Sequence, residues 1–193
     1  MDGAVFIESQ TVNFMAHKIE KLNLEGLLLI KSDVYKDDRG YFIETHKEST
    51  FQDLGLPNFV QDNFSFSKKG VLRGLHYQMP PKAQGKLVRC LEGQIWDVAV
   101  DIREGSATFG QWQGVELAEG DGLALYVPEG FAHGFVVLSE TARVLYKTTA
   151  EYAPELERGI AWNDQDLKIG WPVENPILAP RDAAFPKFKD LAV

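Results

Sequence analysis

The feature that most restricts the fold is a run of eight short apolar segments between residues 59 and 149. Gly, Pro, Asp or Glu residues bound each segment, and no stretch of helical periodicity lies between them. Closely spaced strands without intervening helices are typical of sandwiches and jelly rolls rather than of βαβ folds. The sequence therefore predicts an all-β protein, with the eight segments FVQDNFSFS, VLRGLHYQ, KLVRCLEG, QIWDVAVDIR, FGQWQGVEL, LALYVP, FAHGFVVLS and ARVLYKTT as strands.

The segments on either side of this run predict smaller elements. Residues 27–46 are predicted to form two strands around a turn at residues 37–40, and Ser49 to Leu54 a short helix that ends at Gly55. After Tyr152, a proline-bearing tail is predicted to wrap the barrel. A chain of 193 residues is long enough for one core. We expect one domain over residues 26–193, preceded by an arm, residues 1–25, of unclear role.

Charge and composition restrict the partners. The net charge of -8 argues against a nucleic-acid partner, which needs a basic face. The single Cys90 excludes an internal disulfide and is predicted to be a buried apolar residue. No apolar run is long enough to span a membrane, and the N-terminus lacks the pattern of a signal peptide. We expect a cytoplasmic protein without a nucleic-acid or membrane partner.

The stretch from Gly70 to Gly93 has the spacing of the first metal motif of cupins, but two of the ligands are replaced. His76 stands at the first ligand position, Gln78 at the second, and Lys86 where the glutamate ligand is expected. A second cupin-like pattern, from Gly122 through Pro128-Glu129-Gly130, ends at His133. A lysine cation repels a divalent ion, so the sequence predicts no catalytic metal.

What remains of this motif suits proton transfer at a carbon beside a carbonyl. His76 is the natural base because an imidazole titrates near neutral pH, and Lys86 is the natural partner of an enolate oxygen. Strand alternation places His76 and Lys86 on faces that can converge. Arg73 falls on the opposite face, which implies either a bulge or a contribution to another surface.

Each remaining candidate also has a simpler structural interpretation. Tyr146 could be a packed strand aromatic, Asp182 a turn or cap residue, and His133 a structural histidine. Asp97 and Asp101 could form an acid pair, but edge exposure or an ion pair is favoured. His17 and His46, which lie among charged residues, are predicted to be solvated.

A longer series of motifs resembles the dTDP-4-dehydrorhamnose 3,5-epimerase family, from about Gly26 to Ala184. The motifs are DDRGYFIET, FVQDNFSFSKKGVLRGLHYQ, QGKLVRC, DVAVDIR, TFGQW, VPEGFAHGF, LYKTTAEYAP and ERGIAWND. The resemblance implies a cupin jelly roll (a double-stranded β-helix) with short peripheral helices and a wrapping C-terminal tail. It also implies a homodimer that needs no cofactor and acts on a dTDP-4-keto-6-deoxy sugar.

By resemblance, four residues are catalytic: His76 is the base, Asp182 orients it, Tyr146 is the opposing acid, and Lys86 holds the C4 oxygen. The substrate contacts of the family fall on Arg39, Glu44, Gln61, Asn63, Arg73, His133, Tyr152, Glu157 and Arg181, with Tyr152 stacking on the thymine. A strand exchanged across the dimer would let an outward residue such as Arg39 reach a site.

The expected reaction is inversion of C3 and C5 of dTDP-4-dehydro-6-deoxy-D-glucose through enolates, which gives dTDP-4-dehydro-L-rhamnose in dTDP-rhamnose biosynthesis. One alternative is an epimerase acting at a single carbon, or a ketoisomerase, of a related dTDP-4-keto sugar. Another is a non-catalytic cupin that binds a sugar nucleotide, and a third is a metal-dependent cupin oxygenase.

Overall fold

The computed structural model describes residues 17–191, which form thirteen strands, two short α-helices and one 3₁₀ turn. The strands are β1 His17–Lys21, β2 Leu28–Ser32, β3 Tyr35–Asp37, β4 Gly40–Phe42, β5 Gln61–Lys68, β6 Leu72–Gln78, β7 Lys86–Glu92, β8 Gln94–Asp101, β9 Trp112–Ala118, β10 Leu123–Val127, β11 Phe131–Val137, β12 Thr141–Thr148 and β13 Glu157–Gly159. The helices are α1 Glu48–Asp53 and α2 Pro180–Ala183, and the 3₁₀ turn covers Phe188–Asp190.

Two antiparallel sheets make up the barrel, as the all-β jelly-roll prediction requires. The six-stranded sheet has the order β1-β2-β10-β7-β12-β5, and the five-stranded sheet has the order β13-β6-β11-β8-β9. Strands β3 and β4 form a separate hairpin. All eight strands predicted between residues 59 and 149 are present.

The main core lies between the two sheets. Alternate residues of β7, Val88 and Cys90, face it and are buried, as are Ile95 and Ala99 of β8. Cys90 is buried, which confirms the prediction of an apolar packing residue. Its burial also raises the pKa of the thiol to about 12, so the thiol stays protonated. The strand period of two therefore sets which side chains enter the barrel.

The prediction that His17 is solvated is wrong. His17 begins β1, which pairs with β2, and its Nδ1 lies 3.0 Å from the Ser32 hydroxyl. Its ring packs edge-on against Phe51 of α1, and His46 is half-buried against the same ring. The six-stranded sheet thus begins within the range assigned to the arm, of which residues 1–16 lie outside the described part of the chain.

The tail after β13 returns to the five-stranded sheet. Val71 bridges to Ile177, and the Leu72 N–H donates to the Ile177 carbonyl at 3.0 Å. These bonds place α2 beside β6, with Asp182 buried. The wrapping tail therefore adds a carboxylate to a sheet that lies about a hundred residues earlier in the chain. No helix in residues 17–191 is long and apolar enough to cross a membrane.

Candidate active site

A cavity of about 380 Å³ opens at one end of the barrel, between the two sheets and the tail. Strands β6 and β11 of the five-stranded sheet form one wall, and β5, β7 and β12 of the six-stranded sheet form the other. The lining residues include His76, Asp182, Tyr146, Lys86, Gln61, Asn63, Arg73, His133, Tyr152, Glu157 and Arg181. Eleven of the thirteen predicted site residues are therefore brought together.

A bulge in β6 explains how Arg73 reaches this cavity. His133 of β11 pairs with His76 and Phe135 pairs with Arg73, so β6 advances three residues where β11 advances two. The extra residue turns Arg73 to the same face as His76, which confirms the bulge interpretation. The guanidinium Nε donates to the Ser67 hydroxyl at 2.9 Å.

Gly74 is required at this bulge because no side chain fits there. Its φ is +132°, and a Cβ at this position would lie 2.6 Å from the Gly134 Cα. The Gly74 N–H donates to Asp182 Oδ2 at 3.2 Å. The bulge therefore presents Arg73 and His76 and also binds the carboxylate from the tail.

His76 and Asp182 form a dyad. Nε2 of the imidazole lies 2.9 Å from Asp182 Oδ1. Burial alone would raise the pKa of Asp182, but the hydrogen bonds from His76 and the Gly74 N–H, together with the Arg181 charge, hold it below its ordinary value. The carboxylate therefore stays ionised and engages Nε2 of His76.

Lys86 is a buried cation on the opposite wall. Its side chain is almost wholly buried, and its ammonium donates to the His76 carbonyl at 3.1 Å. Burial lowers the pKa of Lys86 to about 8, although the negative charges of Asp97 and Glu157 act to raise it. The ammonium is thus charged at neutral pH and lies close to the base.

Tyr146 also lines the six-stranded wall, whereas His76 lies on the five-stranded wall. Burial raises the pKa of Tyr146 above its ordinary value. The Glu157 charge acts in the same direction, and the Arg73 charge acts against it. The hydroxyl therefore remains a phenol at neutral pH. A base and an acid on opposite walls can act on opposite faces of one bound molecule.

His133 faces His76 across the β6–β11 pair and is buried. Its Nε2 lies 2.8 Å from Asp97 Oδ1, and Asp97 has no exposed surface. Edge exposure is wrong for Asp97 and for Asp101, because both are fully buried. The ion-pair alternative is correct for Asp101, which pairs with Arg103, whereas Asp97 is hydrogen-bonded to His133.

Polar and aromatic side chains from the tail and its connection form the rim. Arg181 donates to Glu157 Oε2 at 2.7 Å, and the Tyr152 hydroxyl donates to the same oxygen at 2.6 Å. Gln61 accepts from the Tyr152 N–H at 2.8 Å and donates to Asn63 at 2.9 Å. The exposed ring of Tyr152 is therefore held at the mouth from two sides.

Arg39 and Glu44 do not line this cavity. Arg39 lies in the β3–β4 hairpin, where it forms an ion pair with Asp37 and is highly exposed. Glu44 lies 3.4 Å from Nε2 of His17. Substrate contacts by Arg39 and Glu44 remain predictions, because neither residue reaches the cavity of its own chain.

The lining residues missed from the sequence are Ser65, Tyr77, Gln84, Phe135 and Ala179, and Gln78 was placed in the central motif but given no role at the site. Ser65 continues the alternation of Gln61 and Asn63 on β5, which is the signal that could have identified it. Gln78, at a cupin ligand position, forms hydrogen bonds to backbone groups of the chain through its side-chain amide. It donates to the Lys82 and Glu151 carbonyls and accepts from the Ala153 N–H.

Within residues 17–191, no group of three or more His, Cys, Asp or Glu side chains could hold a metal ion. The two histidines at cupin ligand positions are instead each bonded to a carboxylate, His76 to Asp182 and His133 to Asp97. The cavity thus brings together two histidines bonded to carboxylates, a tyrosine, a buried lysine and two arginines.

The sequence profile of a family described as dTDP-4-dehydrorhamnose 3,5-epimerase matches residues 21–190. The Shigella flexneri enzyme of that name is 50% identical over 172 residues, which cover 88% of this chain and 95% of the relative. A crystal structure of the Elizabethkingia anophelis enzyme superposes with a TM-score of 0.86 at 50% identity, covering 91% of this chain and 98% of the other.

A Legionella pneumophila dTDP-6-deoxy-D-glucose-3,5-epimerase has been solved in complex with dTDP-4-keto-L-rhamnose. It superposes with a TM-score of 0.87 at 46% identity, covering 91% of this chain and 94% of the other.

Proposed function

The chain belongs to the dTDP-4-dehydrorhamnose 3,5-epimerase family, and we propose that the His76–Asp182 dyad performs the proton transfers of that reaction. The enzyme inverts C3 and C5 of dTDP-4-dehydro-6-deoxy-D-glucose to give dTDP-4-dehydro-L-rhamnose. Both carbons flank the C4 carbonyl, so loss of a proton from either gives an enolate at the same oxygen. The observation that carries the proposed mechanism is the convergence of His76, Asp182, Lys86 and Tyr146 on one cavity.

In the first step, Nδ1 of His76 takes a proton from the carbon, and the electron pair of the C–H bond moves towards the C4 oxygen. Asp182 keeps the ring oriented and stabilises the imidazolium that forms. The buried Lys86 ammonium faces the developing enolate oxygen, where a fixed charge in a water-poor site stabilises most. No redox partner is needed, because the proton leaves and returns without net electron transfer.

In the second step, a proton reaches the opposite face of the same carbon. Tyr146 is the acid in this step, since its hydroxyl remains protonated and lies on the wall opposite His76. His76 then releases its proton to solvent and the Tyr146 phenolate takes one from solvent, which restores the site for the second carbon.

The nucleotide binds at the rim in this proposal. Arg73 and Arg181 offer planar guanidinium groups that suit a diphosphate, despite the acidic charge of the whole chain. Tyr152 offers an exposed ring for the thymine, and Glu157 and His133 offer acceptors to hydroxyl groups. Gln61 and Asn63 line the cavity on the β5 side.

The test is to treat the keto-sugar nucleotide with enzyme in heavy water and to follow the product by NMR. The proposal predicts deuterium at both C3 and C5 in the L-rhamno product. Deuterium at one carbon would identify a single-carbon epimerase, a 3-keto product would identify a ketoisomerase, and binding without exchange would identify a non-catalytic binding protein.

A homodimer in which the β3–β4 hairpin serves the partner's cavity would account for Arg39, which lies outside its own cavity. Mixing inactive Arg39→Ala and His76→Ala chains tests this arrangement. In the mixed dimer, the chain with intact His76 would receive an intact Arg39 from its partner, so activity should return. No recovery in verified mixed dimers would contradict the exchange. The cytoplasmic location and the single domain over residues 26–193 likewise remain proposals.

A further inference from the structure

Asp97 is a buried carboxylate that the steps above do not use. It lies on β8 with no exposed surface, and its Oδ1 is 2.8 Å from His133 Nε2. Its second oxygen, Oδ2, is buried and has no hydrogen-bond partner among residues 17–191. Burying a carboxylate with an unused oxygen is costly, so its presence behind the cavity wall requires an explanation.

Two groups of the cavity depend on this carboxylate. Because Oδ1 accepts from His133 Nε2–H, the ring cannot rotate without losing that bond, and Nδ1 is the nitrogen left for a ligand. The other group is Lys86, which is buried beside the base and has no carboxylate within salt-bridge distance in the described part of the chain. Asp97 and Glu157 are the charges that favour its ammonium form.

We propose that Asp97 is a positioning residue of the epimerisation site, which fixes the His133 ring from behind the cavity wall by a hydrogen bond to Nε2. This inference rests on the proposed function. Asp97 does not touch the substrate, since the walls of the cavity cover it completely. It acts through His133, which offers Nδ1 to a sugar hydroxyl, and its charge also favours the ammonium form of Lys86.

Its partial counterpart is Asp182, which performs a similar task for His76. His76 and His133 are paired in register on neighbouring strands, and each has a carboxylate at Nε2. The Asp182–His76 dyad therefore orients the base, and the Asp97–His133 dyad orients the histidine beside it. The difference is that Asp182 has hydrogen bonds to both oxygens, whereas Asp97 Oδ2 has no hydrogen-bond partner within the part of the chain that the structure describes.

The test is Asp97→Asn, which preserves size and one oxygen but removes the charge. We expect kcat to fall by about 10- to 100-fold, the usual effect of changing a residue that orients a group in contact with the ligand. The basic limb of the kcat/KM profile should move to lower pH, because the Lys86 ammonium loses one of its two counter-charges. A merely structural role would not move that limb.

Asp101→Asn is the matched control. Asp101 lies on the same strand and is equally buried, but it binds Arg103, Ser106 and Thr108 outside the cavity. This control should lower the melting temperature and leave the basic limb in place. A folded Asp97→Asn enzyme with the kcat and basic limb of the wild type would overturn the inference.

Two further measurements separate the possible failures. Wild-type enzyme that fails to turn over the keto-sugar nucleotide would refute the proposed function itself, whereas an unaltered Asp97→Asn variant beside active wild type refutes only the role of Asp97. Should that variant not fold, ¹⁵N NMR of histidine-labelled wild type decides. A proton on His133 Nε2 is expected, and an unprotonated Nε2 would overturn the inference.

Discussion

Nε2 of His76 lies 2.9 Å from Oδ1 of Asp182, although 106 residues separate them in the chain. The contact exists because the tail returns to β6, where Ile177 bonds to Gly70 and Leu72. A base on a strand and its orienting carboxylate on a short helix are thus brought together only by the complete fold.

Asp182→Asn should lower kcat roughly 10²- to 10⁴-fold, because an amide can no longer hold the imidazole in its productive form or stabilise the imidazolium. Steady-state kinetics with the keto-sugar nucleotide measure this effect. Asp190→Asn, an exposed change in the same tail, is the control and should be neutral. Retention of more than half the wild-type kcat in Asp182→Asn would argue against the dyad.

Activity should fall as pH rises through about 8, because burial lowers the pKa of Lys86 to about 8 and only its cationic form stabilises the enolate. Lys86 is therefore the active ammonium at a pH below about 8 and the neutral amine above it. The kcat/KM profile of the free enzyme reports this limb. Activity that stays constant up to the pH at which exposed lysines titrate would contradict the role of Lys86.

Lys86→Met removes the cation while keeping an unbranched side chain, and we expect kcat to fall about 10²- to 10³-fold, as for loss of an oxyanion-stabilising group. Lys82→Met is the matched control, since Lys82 is an exposed lysine in the preceding loop. Equal activity of the two variants would remove Lys86 from the mechanism.

Tyr146→Phe should separate exchange from inversion. His76 can still remove a proton and return a deuteron to the same face, so substrate recovered from heavy water should carry label while little inverted product forms. Tyr126→Phe is the control, because Tyr126 is a partly buried tyrosine of the same sheet that does not line the cavity. Normal inversion in Tyr146→Phe would exclude Tyr146 as the acid.

Gly74→Ala should unfold or strongly destabilise the protein, because the added Cβ would meet the Gly134 Cα at 2.6 Å in a backbone conformation of positive φ. We expect a loss of unfolding free energy above about 3 kcal/mol, measured by urea titration. Gly70→Ala, also at positive φ but with no atom within 4 Å, should cost only about 1–2 kcal/mol. Similar losses for both variants would contradict the close packing at the bulge.

Much of the fold could be predicted because local signals and strand packing agree. The eight central strands follow from alternation and from Gly and Pro boundaries. Strand β9, however, begins at Trp112 rather than at Phe109, because the Gly110 N–H bonds to the Asp101 carbonyl in a turn. The segment 27–46 forms three strands rather than two, since β2 pairs with β10 and the chain then leaves for the β3–β4 hairpin.

The site was less accessible to sequence reasoning where it depends on long-range packing. Alternation alone placed Arg73 outside, and only the register of β6 against β11 reveals the bulge that turns it inward. Asp97 could not be identified as buried, because its partner His133 lies on a neighbouring strand 36 residues later. His17 looked solvated among charged neighbours, yet its strand packs under α1.

The central claim is that His76 is the base, and solvent exchange in His76→Ala tests it most directly. Wild-type and variant enzymes are incubated with dTDP-4-dehydro-6-deoxy-D-glucose in heavy water, and deuterium at C3 and C5 is measured by NMR in the recovered sugar nucleotide. We predict label at both carbons with the wild type and none above the uncatalysed rate with folded His76→Ala. Full exchange at both carbons in that variant would contradict the assignment.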